Sequence, residues 1–379
     1  MQPRVLSDEI DSPTALLVTI ERGRHMVASA EFIAGLPKAE LHLHIEGTLS
    51  VEMKRRFAAR NNLKLGDASF TPLSVPEGSS GQSLDIQQYK MFLALYFEGL
   101  KVMRTEQDFY DLALAYFQQC KDNNIVYAEV SFDPQAHFDR GVPFGAVVNG
   151  LTAARKTAVD ALGVESQLIM CINRDLRLES AAEMLKAARP YRDKIAGLGL
   201  DNVEEGHPPI KFQTVYDSAR DQGYRLTAHC DVDMLNAREH IRQCIHEIKV
   251  ERIDHGINVL EDEALMNASL ERGIHFTTCP TWRTGDPKPR PVDRIEKMRQ
   301  FGLSVSMNSD DPGYFASGYM NHTLAAVADA GQFTESEMAG YAKEAFSGAW
   351  ISEDRKKAYS DLVDSYVSGF QDKSALTSA

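Results

Sequence analysis

From residue 36 onward, short apolar or β-branched runs alternate with longer stretches of helical pattern, and there are eight such runs. They are Ala39–Ile45, Ile125–Phe132, Gln167–Ile172, Ile195–Asp201, Arg225–His229, Arg252–Asp254, Ile274–Cys279 and Leu303–Asn308. Continuous apolar runs suit parallel strands covered on both faces, and strand–helix alternation repeated eight times predicts a (β/α)8 barrel of the TIM type. Two amphipathic stretches, Tyr89–Met103 and Asp108–Lys121, fall between the first and second strands and predict extra helices there. The second opens on Thr105-Glu106-Gln107-Asp108, a helix-start signal. Thr71–Gln82 and Gly285–Pro291 are rich in turn residues and read as surface loops. We therefore expect one barrel domain over 31–370, an N-terminal extension over 1–30 and a flexible tail over 371–379.

Hydrophobic residues at 43% and charged residues at 25% provide enough apolar mass for so large a core. A net charge of −13 disfavours nucleic acid and anionic bilayers and points to a small-molecule partner. No run approaches the ~20 apolar residues of a membrane span. Five scattered cysteines without a C-x-x-C pair suggest a reduced, cytoplasmic setting.

The polar clusters fall at the C-terminal ends of the expected strands, where barrel enzymes build their sites. His42 and His44 are two apart in Leu41-His42-Leu43-His44-Ile45-Glu46-Gly47-Thr48, so on a strand both point the same way and can grip one ion. Imidazole pairs suit zinc, although a lone H-x-H is also common as a buried or surface pair. His229 ends the fifth strand, Asp254-His255-Gly256 ends the sixth, and Asn308-Ser309-Asp310-Asp311-Pro312 ends the eighth. Asp-Asp-Pro alone reads equally well as a solvated turn; convergence with the other clusters favours a site.

These residues carry a resemblance. Pro37–His44, Ile253–Gly256 and Asn308–Pro312 match, in order, motifs of the adenosine and adenine deaminase branch of the amidohydrolase superfamily, over about residues 35 to 350. The resemblance implies that His42, His44, His229 and Asp310 hold one zinc ion per chain, that His255 orients and deprotonates water, and that Asp311 faces a purine. It also implies hydrolysis of the C–N bond at C6.

Gly199–Pro209 resembles the adenine branch more than the nucleoside one. Glu204 is expected to accept the N9–H of a free base, or else to cap a helix or face water. The family places a proton-donating glutamate three residues after its third histidine, and here that position is Val232. The donor is expected to be Asp233 or Asp231, with Asp233 preferred. Trp282 either lines the pocket, where it would hold the alkyl tail of an N6-substituted adenine, or covers an outer helix. The expected substrate is thus adenine or an N6-substituted adenine. The alternatives are a nucleoside deaminase, a two-metal amidohydrolase, or a metal-binding scaffold that lost activity with the glutamate.

Overall fold

The computed structural model describes residues 26–66, 86–281 and 291–377. Thr71–Gln82, Trp282 and nearly all of Gly285–Pro291 lie outside them. Eight parallel strands follow one another in chain order: β1 (Lys38–Glu40), β2 (Ile125–Phe132), β3 (Glu165–Asn173), β4 (Gly197–Asp201), β5 (Arg225–Cys230), β6 (Arg252–His255), β7 (His275–Thr278) and β8 (Ser304–Met307). All eight expected runs form strands, because each is a short apolar segment between a helix and a turn and is almost wholly buried.

β1 is shorter than the expected Ala39–Ile45, but its continuation is tied on both sides. Leu43 bridges Asp310 and His44 bridges Ser131. The His44 N–H donates to the Asp310 carbonyl at 3.1 Å, and the Asp310 N–H to the His42 carbonyl at 3.3 Å. These bonds bring the end of β8 to the end of β1 and nearly close the barrel, setting three of the expected ligands side by side.

The inserted helices are present as Ile86–Leu100 and Glu106–Asp122. The second begins in the expected way: the Asp108 N–H donates to Thr105 Oγ1 at 3.3 Å while Asp108 Oδ2 accepts from the Thr105 N–H at 2.9 Å. Such reciprocal capping satisfies two otherwise orphaned donors and contributes ~1 kcal/mol.

Inside the barrel, Arg252 of β6 crosses to Glu129 of β2 at 2.6 Å, both side chains fully buried. Its guanidinium lies 4.1 Å from the Trp350 ring centroid and donates to the carbonyls of Leu41 and Gly348. Those partners offset the desolvation of a buried ion pair, whose interruption on one side typically costs ~3–5 kcal/mol.

Two expected boundaries shift. Residues 26–30 of the expected extension are anchored, with Val27 bridging Thr334 and Ser29 capping the helix Ala30–Gly35. The last helix runs Glu353–Thr377, through most of the expected tail, since no glycine or proline interrupts Gln371–Thr377. It docks on the first helix through Tyr366, whose hydroxyl donates to the Phe32 carbonyl at 2.8 Å.

Candidate metal and active site

Three imidazoles from β1 and β5 meet nitrogen to nitrogen. His229 Nε2 is 3.0 Å from His42 Nε2 and 3.1 Å from His44 Nε2. Asp310 Oδ1 lies 3.5 Å from His42 Nε2 and 3.7 Å from His44 Nε2. Each ring is turned by its other nitrogen. The His42 Nδ1–H donates to the Thr277 carbonyl at 2.9 Å, which leaves Nε2 as a lone pair facing its neighbours. His229 Nδ1 lies 3.3 Å from Asp254 Oδ2, and Asp254 is itself fixed by the Thr277 hydroxyl at 2.6 Å. His44 Nδ1 lies 3.5 Å from Asp201 Oδ2.

Burial disfavours a charge on His229, but Asp254 outweighs it and raises the ring to about 10. His44 is pushed down to about 3 by burial and by the neighbouring His229. Burial alone would raise Asp310, yet the surrounding imidazoles hold it well below the usual carboxylate range. Three converging imidazole nitrogens, an ionised carboxylate and an oxygen partner behind each ring are the donor set and support that a divalent cation such as zinc requires. The residues present therefore fit the implied metal.

His255 and Asp310 both hold left-handed backbone, with φ of 59° and 65°. Neither is glycine, so each conformation costs on the order of 1 kcal/mol and brings a side chain inward at a strand end. His255 Nε2 lies 3.8 Å from Asp310 Oδ2 and 3.4 Å from Asp231 Oδ1. Burial and the adjacent His42 hold His255 at about 3, a neutral ring near pH 7.

The structure separates the two aspartates proposed to replace the missing glutamate. Asp231 adjoins His255, whereas the preferred Asp233 turns outward: its side chain is 41% exposed and its Oδ1 accepts from Arg294 at 2.8 Å and from Asn258 at 2.9 Å. Asp233 itself has φ of 57°, and this turn carries its side chain away from the imidazoles.

Glu204 also departs from expectation. Its carboxylate is fully enclosed, Oε1 accepting the Asp231 N–H at 2.5 Å and Oε2 the His240 Nδ1–H at 2.9 Å, with Arg174 Nη1 3.4 Å away. It braces the loop that carries Asp231, with both oxygens engaged by the protein and the side chain closed to solvent.

Asp311 is buried beside Asp310, and burial together with that neighbouring charge raises it well above the carboxylate range. A Cβ at residue 47 would sit 2.0 Å from Asp311 Oδ1 and 2.9 Å from its Cα, so the glycine there is what admits the acid.

Sequence reasoning assigned no role to a second group of carboxyls. Glu46 follows His44 on the segment beyond β1, Asp133 follows β2, Asp201 ends β4, and all three are almost fully buried. Asp133 and Asp201 share a side-chain hydrogen bond, and burial with mutual repulsion raises Asp133 to about 8 and Asp201 well above its usual range. Burial lifts Glu46 to about 7. Their signal was in the chain, since each stands directly at or after the end of an expected strand.

Comparison with known proteins agrees with this geometry. The adenosine deaminase family matches residues 37–366. An adenine deaminase of Caulobacter vibrioides is 41% identical over 90% of this chain and 96% of its own. An uncharacterized deaminase of Schizosaccharomyces pombe is likewise 41% identical, over 89% of this chain and 98% of its own. The crystal structure of adenine deaminase from Arthrobacter aurescens superposes with a TM-score of 0.76 at 32% identity, covering 88% of this chain and 99% of that one. The chain belongs to the adenosine deaminase family of the amidohydrolase superfamily, built as a TIM-type barrel and equipped for hydrolytic deamination.

Proposed function

We propose that this protein hydrolyses the C6–N bond of a free adenine-type base, adenine or an N6-substituted adenine, to give hypoxanthine and ammonia or an amine. The convergence of His42, His44, His229 and Asp310, in a chain 41% identical to an adenine deaminase, carries the reading. One zinc ion per chain, held by those four residues, would supply the Lewis acidity that makes water nucleophilic near neutral pH.

The remaining chemistry falls to the chain. Neutral His255 accepts a proton from the attacking water at Nε2. Asp231, adjacent to that nitrogen, passes a proton toward the substrate, and protonated Asp311 donates to a ring nitrogen so that negative charge does not accumulate on the purine. Asp254, Thr277 and Asp201 keep the three imidazoles in place. Burial of these groups strengthens each interaction by excluding water. No described helix is long and apolar enough to cross a membrane.

The test is release of ammonia or amine from adenine, N6-methyladenine, N6-isopentenyladenine and adenosine by purified protein. We expect turnover of the free bases with adenosine at least about tenfold poorer in kcat/KM. No release from any of the four would refute the proposal, and preference for adenosine would make it a nucleoside deaminase.

A further inference from the structure

Glu46 stands two residues beyond His44 and is held in an unusual way. The Arg140 guanidinium donates to His137 Nδ1, because a guanidinium has no acceptor to offer in return. That fixes the proton of the neutral ring on Nε2, which donates to Glu46 Oε1 at 3.1 Å. The Asp133 N–H donates to the same oxygen at 3.2 Å. Both His137 and Glu46 have no solvent exposure. Oε1 thus takes every donor, while Oε2 is buried with no hydrogen-bond partner among the described residues.

A buried acceptor left without a donor costs ~1–3 kcal/mol, and a relay of arginine and histidine that aims only one of two oxygens is a costly arrangement unless the other oxygen meets a ligand. Its surroundings identify the ligand's chemistry. Glu46 precedes Gly47, the residue that admits Asp311, and the buried Tyr96 lies within the electrostatic reach of both acids. Asp311 is the acid expected to face the purine, and Glu46 is joined to it through Gly47, whose backbone packs against the Asp311 carboxyl, so a purine met by Asp311 comes into the neighbourhood of Glu46. A free purine carries a ring N–H that a nucleoside lacks.

We propose that Glu46 Oε2 accepts the five-membered-ring N–H of a free purine base, and that the Arg140–His137 relay aims it for that purpose. The assignment rests on the adenine-type reading above. It gives Glu46 the discriminating part that the sequence suggested for Glu204. A substituent on N9 would remove the donor and press bulk against a buried carboxylate, so one side chain both recognises the base and rejects the nucleoside.

Glu46→Gln is a sharp probe because the relay dictates its orientation. His137 and the Asp133 N–H still require an oxygen, so the amide NH2 takes the place of Oε2 and opposes the ring N–H donor to donor. With intact purified enzyme, kcat/KM would be measured for adenine and for 9-methyladenine, which has no such N–H. The wild type should prefer adenine by about 100-fold or more, and E46Q should lose about 10- to 100-fold on adenine while changing little on 9-methyladenine. Glu46→Asp, which keeps the charge but withdraws the oxygen by one methylene, should narrow the same preference if E46Q folds poorly.

Equal loss on both substrates, or an unchanged preference in either folded variant, would overturn the assignment. So would a wild type that accepts 9-methyladenine as readily as adenine. A wild type inactive on every purine would instead refute the activity reading itself, and the two failures are distinguishable.

Discussion

Asp231 Oδ1 lies 3.4 Å from His255 Nε2, while Asp233, two residues on, is committed to Arg294. One side chain faces the imidazole cluster and the other holds a surface ion pair. Asp231→Asn should lower kcat by about 10²- to 10⁴-fold, the usual worth of a positioned acid or base. Asp233→Asn should stay within about threefold, because exposed pairs contribute little. Steady-state kinetics on adenine decide it, and the reverse ranking would restore Asp233.

Metal dependence should be complete and traceable to the residues behind the ligands. Prolonged chelation is expected to abolish deamination, and about one equivalent of zinc to restore it. Asp254→Asn leaves the four proposed ligands in place but removes the carboxylate 3.3 Å behind His229 Nδ1. It should weaken zinc binding by about 10- to 100-fold, as read by competition with a chromophoric chelator. Unchanged affinity would show that Asp254 does not tune the site.

The eight strands, the pairing of His42 with His44 and the capped helix Glu106–Asp122 were legible because each is a local signal: an apolar run, an H-x-H spacing, a Thr-x-x-Asp start. The split between Asp231 and Asp233 was not. It depends on a left-handed residue at Asp233 and on Arg294, 61 residues away. Glu204 misled for the same reason, since Arg174 and His240 that consume its carboxylate are distant in sequence. Glu46 stands within the His42–Thr48 motif, but its surroundings are not legible there, because they come from a histidine and an arginine beyond β2 that only the folded barrel brings to it.

Gly47 should prove intolerant of the smallest side chain. A methyl group there would come within 2.0 Å of Asp311 Oδ1 and 2.9 Å of backbone, so neither a rotamer change nor a small shift relieves it. Gly47→Ala is expected to displace Asp311, lowering kcat/KM at least about tenfold and stability by ~1–3 kcal/mol. Kinetics with a urea titration of the same preparation would check both, and a fully active, fully stable variant would place Asp311 elsewhere.

His275, on β7 away from the ligand cluster, makes a separate prediction about acid stability. Its ring is buried between the hydroxyls of Ser304 at 2.8 Å and Ser306 at 3.0 Å, and burial, aided by the nearby Arg252, lowers it from 6.5 to about 3. A base whose folded pKa is depressed binds its proton more readily when unfolded. Between pH 6.5 and 3 the unfolded chain therefore holds the extra proton, and stability falls as the solution is acidified. Across that window His275 contributes a slope of at most ~1.4 kcal/mol per pH unit, which vanishes above the unfolded value. Replacing it by asparagine, which cannot titrate, should cost stability at pH 8 through lost packing yet flatten the acid limb of denaturation midpoints measured from pH 8 to 4. An acid limb equally steep in His275→Asn would mean that other groups carry the acid sensitivity.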